Sequence, residues 1–323
     1  MQLRFQDKEH FFHDTAQMLR SGIPLQRAWE HLAAGRDRSA AAARTAAARV
    51  NSGLDAALDA GGFSLVDREI MAAGEQSGRL EEACREMADY YAHLTAGRNR
   101  AVAASLYPVF ILHLAALLLS IPPAIIDGHL SGFFMQAALF LGTAYLIGGT
   151  FVLLFWVIAR AFQSNPAADR LIRIVPVVGG FFRDAALARF CLVLSLGIRS
   201  ADGVLSSLVR AGRASKSACL NEVAAAAVSA IRLGSGFADS LAASRTFPVD
   251  LERAFHVAEA SGRLEAEITR WAGIYRDRYF KRIDALAEWL PRILYLLVVG
   301  MVVFRMFSLI SQITGSLSSA LEM

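Results

Sequence analysis

His10 and His13 lie one helical turn apart near the start of the chain, while His113 and Arg305 stand inside long apolar runs. Ser77 and Ser261 each occupy a turn-like segment next to glycine. These are the side chains whose type and spacing invite a chemical reading. Two histidines on one helix face can begin a zinc site, but such a site takes three or four ligands and no third adjoins this pair. They read as a solvated helix face. Neither serine sits in a nucleophile elbow, and the chain has no phosphate-binding Gly-rich loop ending in Lys-Ser/Thr and no His-Glu-x-x-His. Gly234-Ser235-Gly236 lacks the strand and helix that a dinucleotide loop requires. Cys84, Cys191 and Cys219 have no metal-ligand spacing and suit a reducing compartment. The expectation is a protein that is not an enzyme, with no catalytic residue, metal or cofactor.

The two intramembrane candidates remain. His113 reads as a residue that hydrogen-bonds between helices rather than as a proton relay. Arg305 lies past the midpoint of its apolar run, where a charge costs roughly 2.5–3.5 kcal/mol on insertion scales. It either pairs with an acidic side chain on another protein's transmembrane helix or reaches for the outer headgroups from eight residues inside the run.

The elements that must position these residues follow from a duplication. Gly74-Glu75-Gln76-Ser77-Gly78-Arg79-Leu80-Glu81 returns as Ala258-Glu259-Ala260-Ser261-Gly262-Arg263-Leu264-Glu265, identical at six of eight positions and offset by 184 residues. Phe63 falls on Phe247 and Tyr91 on Tyr275 at the same offset, and Pro108 and Pro291 each open an apolar run. Matched landmarks at a fixed offset mark an internal repeat. In each octamer Ser-Gly breaks one helix and Leu-Glu begins the next, which makes a helix–corner–helix. Gly74 and Gly78 permit close backbone approach there, and Glu75 and Arg79 are placed to pair across the corner. The residues of interest are Gly74, Glu75, Ser77, Gly78 and Leu80 in one copy and Glu259, Ser261, Gly262 and Leu264 in the other, either as turn chemistry or as a partner-facing edge.

Short helices precede each corner. Phe11, Phe12, Thr15, Met18 and Leu19 form one apolar face, and Ser21-Gly22 closes that helix. Pro24 opens the next, Ala40–Val50 makes a third, and Leu54–Asp59 a fourth. Ser64 and Asp67 have the spacing of a capping box for a helix over Leu65–Ala73. After the corner a helix runs to about Arg100. In the second copy Gly197 takes the role of Gly22, Ser200–Leu208 continues the pattern, and Ile268–Leu286 is a long amphipathic helix.

At 55% hydrophobic residues and a mean hydropathy of +0.39, the chain is too apolar to be wholly soluble and too charged to be mostly membrane spans. Residues 101–126, 133–162 and 290–313 are each long enough to cross the ~30 Å hydrocarbon core. Pro122-Pro123 suggests a kink or an end to the first. The fold class expected is all-α, with two duplicated cytoplasmic helical-bundle domains, 1–100 and 163–289, and three transmembrane helices. Residues 127–132 form a short external loop without Lys or Arg, and residues 314–323 form an external tail. Arg98, Arg100, Arg160, Arg170, Arg173, Arg278, Lys281 and Arg282 flank the other ends, so the N-terminus is expected in the cytoplasm and the C-terminus in the periplasm. The charged first ten residues lack a signal peptide's apolar stretch. The basic excess of residues 163–285, 17 Lys/Arg against 12 Asp/Glu, is explained by topology and anionic lipid. It forms no dense run or aromatic–basic alternation, so nucleic acid is not an expected partner.

This pattern of lobe, two spans, lobe and one span resembles the F-protein family of type II secretion systems and type IV pilus machines. The residues carrying the resemblance are the two corners, the segments Leu19–Leu25 and Leu194–Leu205, and Tyr107-Pro108 at the entry to the first span. Ala258 departs from the glycine usual in that motif, and the family's longer segment before the first lobe is nearly absent. The resemblance implies a non-enzymatic platform in the bacterial inner membrane, which couples a cytoplasmic assembly ATPase to polymerisation of pilin or pseudopilin subunits. Its implied partners are that ATPase, those subunits, other inner-membrane assembly proteins, membrane lipid and further copies of itself. A multi-span component of a transporter or channel is the alternative, for which only Pro122-Pro123 hints at the broken helix such a site needs.

Overall fold

The computed structural model describes residues 3–122, 130–173, 175–198, 203–244 and 246–321. The fold is all-α, with fourteen α-helices, one short 3₁₀ turn and no strand among the described residues. In the first copy these are α1 (Phe5–Arg20), α2 (Leu25–Ala33), α3 (Arg38–Arg49), α4 (Leu54–Ala60), α5 (Leu65–Gln76) and α6 (Leu80–Leu119). Then come α7 (Leu130–Ser164), α8 (Pro166–Ile172), α9 (Pro176–Gly197), α10 (Gly203–Ala214), α11 (Ala218–Arg232), α12 (Phe237–Ala242), α13 (Val249–Ala260) and α14 (Leu264–Leu321).

Local chemistry explains where the short helices stop. Gly22, Gly62, Gly78, Gly234 and Gly262 all have left-handed φ, between +68° and +95°. Each donates its N–H back into the last turn, and the residue after it bonds one carbonyl further back, as Ile23 does to Met18 at 3.0 Å. Glycine reaches that φ without steric cost, so these residues close helices wherever the chain must turn sharply. Gly197 does not belong to this group. It is the last residue of α9, and a Cβ there would lie 2.5 Å from Ser207 Oγ, so its smallness serves a close approach to α10 instead. The capping box of α5 forms: Ser64 N–H donates to Asp67 Oδ2 at 2.8 Å, and Asp67 N–H to Ser64 Oγ at 3.5 Å.

The chain divides into two compact units. The first comprises the described residues up to Ala96 together with Ile158–Arg282. Its apolar core is a single cluster drawn from both copies, with Phe11, Phe12, Trp29, Ile70 and Met87 in contact through neighbours with Leu187, Phe190, Leu251, Phe255 and Tyr275. Alanines on α3 (Ala40, Ala43, Ala46) are buried completely or nearly so, which lets short helices pack closely around the large aromatics.

The second unit comprises Gly97–Val157 and the described residues from Ile283 onward. Its own buried cluster is small: Leu112, Ala116, Phe140, Ala144 and Val298. Large side chains face outward instead, Phe304 at 77% exposure and Leu146 at 71%. Surface this apolar is satisfied by lipid rather than water. Among the described residues three helices are long and apolar enough to cross a membrane: Leu80–Leu119, Phe133–Ser164 and Leu264–Ser311. Helices α6 and α14 run past Arg100 and Leu286 and continue without interruption through Pro108 and Pro291. Pro123, residues 127–129 of the short loop and residues 200–202 of Ser200–Leu208 lie outside the described residues.

Candidate functional site

The two corners have the same backbone. Arg79 N–H donates to the Gly74 carbonyl at 2.7 Å and Gly78 N–H to Glu75 at 3.1 Å; Arg263 and Gly262 do the same to Ala258 and Glu259 at 2.9 and 3.2 Å. Gly78 and Gly262 hold φ values of +69° and +68°. Ser77 Oγ donates to the Ala73 carbonyl at 2.8 Å and Ser261 Oγ to Ala258 at 3.3 Å, so both hydroxyls are engaged in ending their helices. Leu80 and Leu264, the first residues past each corner, pack half-buried on the common core.

Side chains distinguish the copies. A Cβ on Gly74 would lie 2.5 Å from Ala83 Cβ, so α5 and α6 meet too closely there for any other residue. Ala258 fills that place in the second copy, where the residue matching Ala83 is Glu267. The Glu267 carboxylate turns to Arg270 and to the Trp271 indole N–H at 3.0 Å. Glu259 reaches back to the start of α12 and accepts from the Phe237 and Ala238 N–H groups at 2.7 and 2.9 Å, a negative charge where the helix presents unpaired donors.

The expected Glu75–Arg79 pair gives way to a different set of partners. Arg79 grips both oxygens of Glu82 at 2.6 and 2.7 Å, donates to the Ser195 carbonyl at 3.1 Å and lies 3.8 Å from Glu265. Glu82 stands on the same face one turn along α6, and its two oxygens fit the planar fork that Glu75 on the preceding helix does not meet. Through Arg79 the first corner touches the second copy twice. Arg276 to Glu86 at 2.6 Å and Arg282 to Asp184 at 2.6 Å add further ion pairs within this unit.

Two buried carboxylate hubs escape the sequence reading. Asp67, with 0% exposure, accepts from Lys8 Nζ at 2.5 Å, Tyr91 Oη at 2.6 Å and Ser64 N–H at 2.8 Å, tying α1, α5 and α6 together. Burial, and then the Asp67 charge, push the Tyr91 hydroxyl well above the usual tyrosine range. Asp169 accepts from Cys219 N–H at 3.0 Å, from Arg173 Nε at 2.7 Å and from Ser217 Oγ. A signal for the first hub exists in the sequence: Lys8 lies three and four residues before Phe11 and Phe12, a charge set in an apolar stripe. His10 and His13 are exposed on α1, and no group of three metal-ligating side chains is found among the described residues.

In the apolar unit, His113 Nδ1 lies 2.8 Å from the Val109 carbonyl and Nε2 lies 3.0 Å from Tyr145 Oη, a link between α6 and α7. Arg305 donates to the side-chain oxygen of Gln136 on α7, a partner that the sequence reading missed. The site as a whole offers packing, capping and ion pairing.

The sequence pattern described as type II secretion system (T2SS), protein F, matches residues 11–126 and 190–311, each match holding one corner. The chain is 27% identical to the type II secretion system protein F of Vibrio cholerae over 75% of its own length and 64% of that protein's. It therefore spans just under two thirds of that relative. It is 28% identical to the type 4 fimbrial assembly protein PilC of Pseudomonas putida, over 96% of its own length and 84% of that protein's. With the type IV pilus assembly protein PilC of Thermus thermophilus the identity is 27% over 79% and 68%.

Proposed function

The chain belongs to the type II secretion system protein F family, and from that premise we propose that it is the inner-membrane platform of a type II secretion or type IV pilus assembly machine. In this reading it engages a cytoplasmic assembly ATPase and couples its motion to polymerisation of pilin or pseudopilin subunits. Residues 1–100 and 163–289 are its cytoplasmic parts, with the N-terminus inside and the C-terminus in the periplasm. It works as an oligomer beside other inner-membrane assembly proteins and performs no catalysis of its own.

One observation supports the coupling role above others. Both corners belong to one compact unit, where Arg79 of the first lies 3.8 Å from Glu265 of the second, and the helix leaving each corner continues unbroken into an apolar segment. A continuous helix transmits a displacement along its axis, whereas a flexible hinge at residue 100 or 289 would dissipate it. The small internal cluster and outward apolar side chains of the second unit support lipid and subunit helices as its neighbours.

The test is binding of the full-length chain, reconstituted in lipid nanodiscs, to a type II secretion or type IV pilus assembly ATPase from the same organism. Separate lobes are unsuitable, because each would expose its half of the shared core, at about 1.5–3 kcal/mol for every large side chain laid bare. Saturable binding that is lost when Arg79 and Arg276 are both replaced by alanine supports the coupling role. A folded, inserted chain that binds no ATPase at any concentration removes it.

A further inference from the structure

Arg305 carries a positive charge with no acidic partner among the described residues. Among the described residues its hydrogen-bond partner is the neutral side chain of Gln136. Residues 101–126, 133–162 and 290–313 contain no Asp or Glu at all. A second copy of the chain therefore brings no carboxylate from within its apolar runs either. An anionic headgroup is a countercharge available at a membrane surface.

The bond to Gln136 also sets the level. Gln136 is three residues beyond Phe133, the start of the second apolar run, which is about 4.5 Å along a helix axis. Counting along α14 alone leaves eight residues, or about 12 Å, between Arg305 and the end of its run at Ile313. Contact with α7 thus places the guanidinium near the membrane surface on the side of the 127–132 loop, at the depth where phosphates begin.

A groove of about 360 Å³ opens there between α7 and α14. Its charged end is Arg305 with Gln136, and Leu139, Phe140, Met301 and Phe304 make apolar walls that also hold Thr143, whose hydroxyl donates to the Phe140 carbonyl at 2.8 Å. Gln136 gives its oxygen to Arg305, and its amide nitrogen carries two further N–H donors. Cationic and donor groups at one end with apolar walls below match the two halves of a phospholipid.

We propose that this groove is a binding site for an anionic phospholipid, with Arg305 and the Gln136 amide holding the phosphate and an acyl chain lying along Leu139, Phe140, Met301 and Phe304. The proposal rests on α7 and α14 spanning a membrane and is independent of which machine the protein serves. The site orders one lipid at the joint between the second and third spans, and the lipid phosphate sets a negative charge against Arg305.

Full-length protein in detergent is titrated with phosphatidylglycerol and, separately, with phosphatidylcholine; bound lipid is counted by native mass spectrometry and stability is followed as Tm. The expected result is preferential retention of phosphatidylglycerol and a rise in Tm that phosphatidylcholine does not produce. Arg305→Gln and Gln136→Leu should each weaken that retention, the former by at least about tenfold, and Arg305→Lys should keep part of it. If Arg305→Gln fails to fold, Gln136→Leu decides. Equal retention of the two lipids, or undiminished retention in folded Arg305→Gln, overturns the site. So does Arg305-dependent binding of a synthetic apolar helix bearing one glutamate where phosphatidylglycerol is not held, which would give the groove to a protein partner instead.

Discussion

Tyr91 and Tyr275 occupy matched positions in the two copies, both essentially buried, yet one hydroxyl is bonded to a carboxylate and an ammonium and the other has no partner among the described residues. The matching position to Asp67 is Leu251, so the second copy keeps the ring and has lost the group it answers to. Removing one side of a satisfied buried bond strands the other side, at about 1–3 kcal/mol, whereas deleting an already stranded hydroxyl removes a desolvation cost. Tyr91→Phe should therefore lower Tm, and Tyr275→Phe should leave it unchanged or raise it. Thermal unfolding of the two purified variants side by side checks this, and equal losses would refute it.

The Lys8–Asp67 pair makes a sharper case. Both partners are buried, so their attraction is largely offset by the cost of taking two charges out of water, and only the broken pair is expensive. Asp67→Leu should cost several kcal/mol by leaving the ammonium of Lys8 alone, in the range of about 3–5 kcal/mol known for such losses. The double variant Lys8→Met with Asp67→Leu should recover much of that. A double variant no more stable than Asp67→Leu would show that the capping box, not the charge, is what Asp67 supplies.

These hubs also show where a sequence stops being readable. The helix ends were legible at Gly22, Gly62, Gly78 and Gly262, since a left-handed cap admits few residues and leaves a local mark. The three apolar runs were legible as patterns within a short window, and the duplication because a whole octamer recurs at a fixed offset of 184 residues. Lys8 and Asp67 are 59 residues apart, and Arg305 and Gln136 are 169 apart. A contact between two single residues at such distance has no period and no spacing rule. Arg79 misled for a related reason: Glu75 and Glu82 are both near in sequence, and only the packing of α6 decides which one its guanidinium faces.

At the first corner the prediction concerns space. Gly74→Ala drives a methyl group to within 2.5 Å of Ala83 Cβ and forces α5 and α6 apart. Overpacking of this kind costs about 1–3 kcal/mol. Adding Ala83→Gly opens the same space from the other side and should restore part of the loss, less the helix penalty of about 1 kcal/mol for a new glycine. Gly78→Ala suffers from its φ of +69° instead and should gain nothing from Ala83→Gly. Denaturation of the four variants separates the two causes, and rescue of Gly78→Ala by the same change would contradict the assignment.

Lys216 is the one non-glycine residue with left-handed φ among the described residues, at +53°, and its ammonium is half-buried. Burial first, and then the Arg189 charge, hold its pKa below the usual lysine value, with Asp67 opposing. The unfolded chain then binds that proton more tightly than the folded one, so wild-type stability should rise as pH climbs through the folded pKa and level off near the ordinary value of 10.5. Lys216→Gly removes both burdens and should be more stable than wild type at about pH 8 by roughly 1 kcal/mol, the scale of a left-handed side chain's strain. Lys216→Gln keeps the strained backbone and loses only the charge. In both variants the advantage over wild type should shrink as the pH is raised from about 8 to 10, with the glycine variant remaining ahead of the glutamine one throughout. Tyr91 and Tyr275 titrate in all three proteins and cancel in the difference. A gap between wild type and Lys216→Gln that stays constant over this range would mean that the ammonium is no more costly folded than unfolded.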